Sequence, residues 1–270
     1  SLVGSEMCIR DRGDTLAAIA EDKSHVITGE QKCVYFAEQE PEVLEILQRR
    51  AETLHIPYKI YGRDFHAENI RYTCFGMQFD VEIGDNIYAD LQIPLLGEHQ
   101  AKNCALALAV CVDVLSDLRR ESAVFSLPDI RKNLSLLHWP GRMEVLRSKP
   151  FVLLDACINA TSCENVKEVL RHLGGWNCTV IVGIPEDKDY AGVVRSMKGM
   201  ANRIILTRSG NPHYHFSQKQ QETLAEEDIG TIWTDSVKQA LTLAGSCPDP
   251  IVILGTTSVI SEVEQIFQQS

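Results

Sequence analysis

The residues able to do chemistry gather in two short stretches of the chain. In the first, a buried apolar run at 151–154 ends in Asp155. Arg142 stands ahead of it in a Pro-Gly-Arg hinge, and Asn159 stands behind it in a polar turn before a helix expected to begin near Thr161. A carboxylate at the carboxyl end of such a strand sits where open α/β sheets present ligands, at the crevice facing the next helix N-terminus. The plainer use of a strand-end Asp is to cap that helix; the guanidinium and the amide beside it turn the reading toward a ligand. In the second stretch, 96–110, an Ala-rich helix opens with Gly97-Glu98-His99-Gln100 and carries Asn103 one turn in. His99 and Asn103 are four apart and so share one helix face. A buried helix with a capped start is the alternative there.

Other candidates carry less. The nine cysteines are scattered, with no C-x-x-C pair and no His partner at zinc-ligand spacing, so neither a disulfide framework nor a metal cage is expected and a reducing compartment follows. Cys157 lies in the turn after Asp155, but no sequence feature supplies an activating base. His213 and His215 in NPHYH read as solvated loop histidines. The Gly255-Thr256-Thr257 turn offers backbone N–H groups to an anion, with capping of the last helix as its more ordinary use.

Positioning these residues takes two domains, and 270 residues are enough for two of ordinary size. A composition of 44% hydrophobic and 23% charged residues is that of a soluble globular protein. A net charge of -11 argues against a nucleic-acid surface and suits the cytoplasm. No apolar run approaches the roughly 20 residues needed to span a bilayer, so no membrane is expected as a partner. Residues 1–12, SLVGSEMCIRDR, lack a signal-peptide layout and read as a translated sequencing adapter. They are set aside with Cys8, and the natural protein is expected to begin upstream.

Periodicity then orders the chain. A helix at 13–27 would bury Leu16, Ile19 and Ala20, with Asp14 or Thr15 as its cap. A strand at 32–37, a helix at 41–55 with Val43, Leu44, Ile46, Leu47 and Leu54 inward, and a strand at 58–61 follow. From 64 to 94 the period becomes two: Phe75, Met77, Phe79, Val81 and Ile83 alternate, the chain turns at 84–86, and Ile87, Ala89 and Leu91 alternate back. That is an antiparallel hairpin. Residues 111–137 read as helical with Pro128 near a start, and Trp139-Pro140-Gly141 is a boundary, since Pro fixes one torsion and Gly frees the next. Beyond it, strands at 151–155, 178–183, 203–207, 231–233 and 250–254 are each followed by a helix-length segment, which implies a doubly wound, mainly parallel sheet.

PGRMEV, a short spacer and P-x-V-x-x-D-x-x-x-N, ending at Asn159, resemble the start of the C-terminal domain of the Mur ligase superfamily. The folylpolyglutamate synthase branch, which reads PGR-x-E and D-G-A-H-N-P here, is the nearest match. The stretch GEHQAKNCALALA resembles that family's G-x-H-N-x-x-N-x-x-A-x-x-A, with Gln100 following the His as in that branch. VGIPEDKD resembles its G-x-x-x-D-K-D turn, ILGTTSVISEV its G-S-x-x-x-x-G-E-V, and GDTLAAIAEDK its L-G-x-T-L-x-x-I-A-x-E-K.

The resemblance implies an α/β fold in two parts. An incomplete central ATP-binding domain at 13–138, made of helices plus the antiparallel hairpin, precedes a Rossmann-like, mainly parallel C-terminal domain at 139–270. It implies an ATP-dependent ligase that adds glutamate to folate through an acyl phosphate, with ATP and Mg2+ as cofactors and a monomer as the working form. Arg142 would contact the ATP phosphates and offset their charge, Asp155 the ribose and Asn103 the adenine, with His99 and Asn159 completing the nucleotide set. Lys23, once carbamylated, would hold the magnesium ion, because carbamylation turns an amine into the hard oxygen ligand magnesium prefers.

Four positions depart from the D-G-A-H-N-P stretch. Ala156, Cys157 and Ala160 replace Gly, Ala and Pro, and Ile158 replaces a His, removing a donor, an acceptor and a charge. Asp22-Lys23-Ser24-His25 stands for Glu-Lys-Ala-Gly. The 270 residues contain no G-x-x-x-x-G-K-[ST] phosphate loop, so they are expected not to turn over alone. The rival readings are a noncatalytic nucleotide-binding or regulatory relative, and a cell-wall ligase acting on a UDP-linked muramoyl peptide.

Overall fold

A computed structural model describes residues 15–73, 76–118, 126–175 and 177–269. The segment 1–12, the alternative cap Asp14 and the hairpin residue Phe75 lie outside the described residues. The chain divides into two compact units between His138 and Trp139.

In the first unit, helices α1 (Leu16–Ser24) and α2 (Pro41–Thr53) alternate with the short strands β1 (Val34–Phe36) and β2 (Tyr58–Ile60), which pair in parallel. Thr15 caps α1, its hydroxyl accepting the Ala18 N–H at 3.1 Å. Ala20, Phe36, Val43, Ile46, Leu47 and Ile60 close a small core, with Leu44 and Leu54 at its margin. Leu16, expected inside with Ile19 and Ala20, is exposed instead.

The hairpin is two-thirds of a three-stranded antiparallel sheet, β3 (Phe65–Thr73), β4 (Gly76–Ile83) and β5 (Asn86–Ile93). Its inner face packs Met77, Phe79, Val81, Leu91 and Ile93 against α3 (Glu98–Leu118) and α4 (Leu127–Ser135). Ile87 points away from this core and is 61% exposed. A register shift between Phe79 and Val81, with Asp90 at φ 57°, re-phases β5 so that Tyr88 lies opposite Val81 and Ile87 opposite Glu82. Ser126 caps α4 through the Asp129 N–H, with Pro128 in the first turn as expected.

The second unit is a six-stranded sheet in the order β10-β9-β8-β11-β7-β6. Its strands are β6 (Glu144–Ser148), β7 (Phe151–Asp155), β8 (Cys178–Gly183), β9 (Ala201–Thr207), β10 (Ile232–Thr234) and β11 (Ile251–Gly255). All pairings are parallel except β6 with β7. Connecting helices α5 (Ala160–His172), α6 (Tyr190–Met197), α7 (Lys219–Glu226), α8 (Val237–Ala244) and the terminal α9 (Thr257–Gln268) complete the alternation. The central strands β8 and β11 are buried at every residue, the mark of a parallel sheet covered on both faces. Each of the five strands expected in this half is present; β6, an antiparallel edge without an apolar run, is additional.

Candidate active site

Asp155 ends β7 with a relative exposure of 6%. It does not cap α5. Asn159 does, its side-chain oxygen accepting the Ser162 N–H at 2.8 Å. The Asp155 carboxylate instead reaches back to the hinge, accepting the Met143 N–H at 2.9 Å. Burial pushes its pKa up to about 6, against the opposing pull of the Met143 and Cys157 N–H groups and of Arg142. A carboxylate so placed changes charge near pH 6, above the usual carboxylate range.

The hinge is a rigid turn built around that carboxylate. Gly141 has φ +62°, and a Cβ there would come within 2.5 Å of Ile260. Met143 is 2% exposed at φ 48°, a left-handed conformation that costs a non-glycine residue on the order of 1 kcal/mol or more. The turn is fixed from three sides: the Gly141 N–H donates to Glu144 Oε2 at 2.8 Å, the Met143 N–H to Asp155, and the Ala156 N–H to the Gly141 carbonyl at 2.8 Å. Between the buried Gly141 and Met143 the Arg142 side chain stands exposed. Two buried neighbours and two left-handed residues hold its backbone while its guanidinium faces solvent, the arrangement of a cation presented to a ligand.

The next strand-to-helix turn in the chain, after β8, is tied to the start of α5. Asp189 accepts the Gly192 N–H at 2.9 Å as the cap of α6, and its other oxygen accepts the Ala160 N–H of α5 at 2.8 Å. At the end of β11, Thr256 takes the N-cap position of α9 without a side-chain cap bond, and its buried hydroxyl has no partner among the described residues. The first-turn N–H groups of α9 thus lack the side-chain cap expected for Gly255-Thr256-Thr257. Ile158 lies half-buried in the turn between Asp155 and Asn159.

In the first unit, α3 begins with Gly97 at φ +106°, and a Cβ at that position would meet His99 Cε1 at 2.5 Å and Nδ1 at 2.7 Å. The glycine of G-x-H is therefore the seat of the imidazole as well as the turn before the helix. Asn103 is exposed one turn on, on the His99 face. Gly97→Ala should strain φ and evict His99, lowering unit stability by about 1–3 kcal/mol, which thermal denaturation will measure.

Lys23 is half-buried in the last turn of α1. Among the described residues, no group of three His, Cys, Asp or Glu side chains close enough to share a cation includes a residue of α1. The described residues thus offer Lys23 as one ligand at most, not a magnesium cage.

Glu144 and Asp189 were not singled out by sequence. Each acts through a backbone N–H, and the signals were an acid three residues after Gly141 and the D-K-D run at 187–189.

A doubly wound α/β unit with a buried strand-end carboxylate and an exposed arginine beside it has the layout in which open sheets present ligands, at the carboxyl ends of their strands. The second unit matches the Mur ligase glutamate ligase domain over residues 141–256, and the first matches the Mur ligase middle domain over residues 10–111. The chain belongs to the Mur ligase superfamily. It is 26% identical over 254 residues to the folylpolyglutamate synthase of Lacticaseibacillus casei, covering 94% of this chain and 58% of that protein. It is 24% identical over 258 residues to the dihydrofolate synthase/folylpolyglutamate synthase of Bacillus subtilis, again spanning 58% of its length. The Mycobacterium tuberculosis folylpolyglutamate synthase complexed with ADP superposes with a TM-score of 0.84 at 22% identity, over 96% of this chain and 60% of that one. Among the described residues no helix is long and apolar enough to cross a membrane.

Proposed function

We propose that these residues are the carboxyl-terminal part of an ATP-dependent amide ligase that joins glutamate to a folate through an acyl phosphate. The observation carrying this reading is the hinge that presents Arg142 beside the buried carboxylate of Asp155, inside a domain of the glutamate ligase family. Arg142 offsets negative charge on the phosphoryl group in transit, the electrostatic role phosphoryl transfer demands. Asp155, Asn159, His99 and Asn103 orient the nucleotide, and a carbamylated Lys23 adds one oxygen ligand to Mg2+. The domains are those of the sequence reading, with 1–12 adapter-derived, 13–138 central and 139–270 C-terminal; the enzyme works as a cytoplasmic monomer.

The test is a full-length clone, prepared with bicarbonate and assayed with ATP, glutamate and a tetrahydrofolate. Product mass should rise by glutamate units, and peptide mass spectrometry should find the carbamate on Lys23. The 270-residue chain should release no ADP in a glutamate-dependent way; such release would contradict the assignment of the phosphate loop to upstream sequence. One observation favours a second reading, a noncatalytic nucleotide-binding relative. Ile158 puts an apolar side chain into the turn between Asp155 and Asn159. ATP binding by the full-length protein without any glutamylated product would decide for it.

A further inference from the structure

On the outer face of the three-stranded sheet, outside the residues of the ligase motifs, one imidazole meets two carboxylates. His66 and Glu82 are directly paired across β3 and β4, and Glu68 lies two residues further along β3 on the same face. His66 Nε2 is 3.7 Å from Glu82 Oε2 and 3.9 Å from Glu68 Oε2. One potential ligand atom from each of the three residues lies within 4.8 Å of the others. Among the described residues neither glutamate forms an ion pair with a lysine or arginine, so the two negative charges share only the histidine. Asp80, opposite Glu68, adds a third negative charge to the face. Its own oxygens are committed to the Asp90 N–H and the Asn69 amide, both at 2.7 Å, which hold its carboxyl below the usual range.

We propose that His66, Glu68 and Glu82 form a binding site for a divalent transition-metal cation of the zinc class. Imidazole with carboxylates selects zinc-like ions, whereas magnesium and calcium are taken by oxygen ligands alone. With metal–ligand bonds of about 2.0–2.2 Å, tetrahedral ligand atoms stand about 3.4 Å apart. The His66–Glu82 and His66–Glu68 distances need to close by only a few tenths of an ångström. Strand pairing supplies the rigidity, because a cross-strand pair and its same-face neighbour are held at fixed spacing by the ladder. Each side chain remains partly exposed, 33% for His66 and 40% for each glutamate, which leaves an entry path and a fourth coordination position for water. The dication relieves the repulsion between the glutamates and ties β3 to β4.

The site is tested by titrating the 270-residue chain, cysteines reduced, with Zn2+ by calorimetry and with Co2+ by visible absorption. One cation should bind per chain with a nitrogen/oxygen spectrum free of thiolate charge transfer, and Zn2+ should raise the melting temperature. His66→Ala and Glu82→Gln should each weaken binding at least tenfold and abolish the thermal shift. Glu68→Gln carries the same test should either variant alter the far-ultraviolet spectrum. Equal binding by the wild type and all three variants, a thiolate-only spectrum, or Mg2+ displacing Zn2+ at equal concentration would overturn the proposal.

Discussion

Replacing Arg142 by alanine in the full-length ligase is expected to lower kcat by about 10²–10³-fold, the usual cost of removing one preorganised partner of transition-state charge. The melting temperature should fall only by the modest contribution of the Arg142 charge to keeping the buried Asp155 ionised. Three hydrogen bonds and the left-handed Gly141 and Met143 hold the hinge without using the Arg142 side chain, which is exposed. Activity and stability therefore separate cleanly in this variant. Lysine at 142 restores the charge but not the two-pronged geometry, and should recover only part of the rate. A kcat within threefold of wild type, or a loss matched by unfolding, would remove Arg142 from the chemistry.

Asp155→Asn is expected to do the reverse, making the chain more stable while impairing the proposed nucleotide site. Burial raises the folded-state pKa of Asp155 from 3.8 to about 6, so between those values the folded chain holds a proton that the unfolded chain has released. Stability linked to this group is fully present below the unfolded value and falls as the pH rises toward 6. Above that, the charged carboxylate costs the fold on the order of 2–3 kcal/mol. Asparagine keeps an acceptor for the Met143 N–H and never ionises. At about pH 8 the variant should melt several degrees above wild type, and the two curves should converge below about pH 4. ATP affinity of the full-length variant should fall about tenfold or more if a charged acceptor is lost from the ribose. Melting curves that stay parallel across this range would show that the carboxylate is not paying for its burial.

How far the chain could be read before its structure depended on where each signal resides. The strands of the second unit were legible because parallel strands buried on both faces are continuous apolar runs; Cys178–Gly183 is the plainest. The edge strand Glu144–Ser148 has no such run and is defined by its partner β7. Alternation located β4 and β5 but misplaced Ile87. The re-phasing comes from a register shift and the left-handed Asp90, whose N–H is held by Asp80 ten residues earlier. Strand-end logic placed Asp155 at the end of β7, but the helix cap that is the ordinary use of such an Asp falls to Asn159, and the carboxylate holds the hinge instead. Glu144 works on a backbone N–H three residues back, which residue type alone does not mark, and Asp189 reaches a backbone N–H 29 residues away that only folding brings near.

Asp189 has a consequence for how this edge of the sheet can move. One carboxylate grips the first turns of α5 and α6 at once, so the loop bearing Asn159 and the loop bearing the D-K-D run are mechanically a single part. A molecule that tugs on either loop pulls the other with it. Two loops at the carboxyl edge of this sheet are thereby coupled through one side chain.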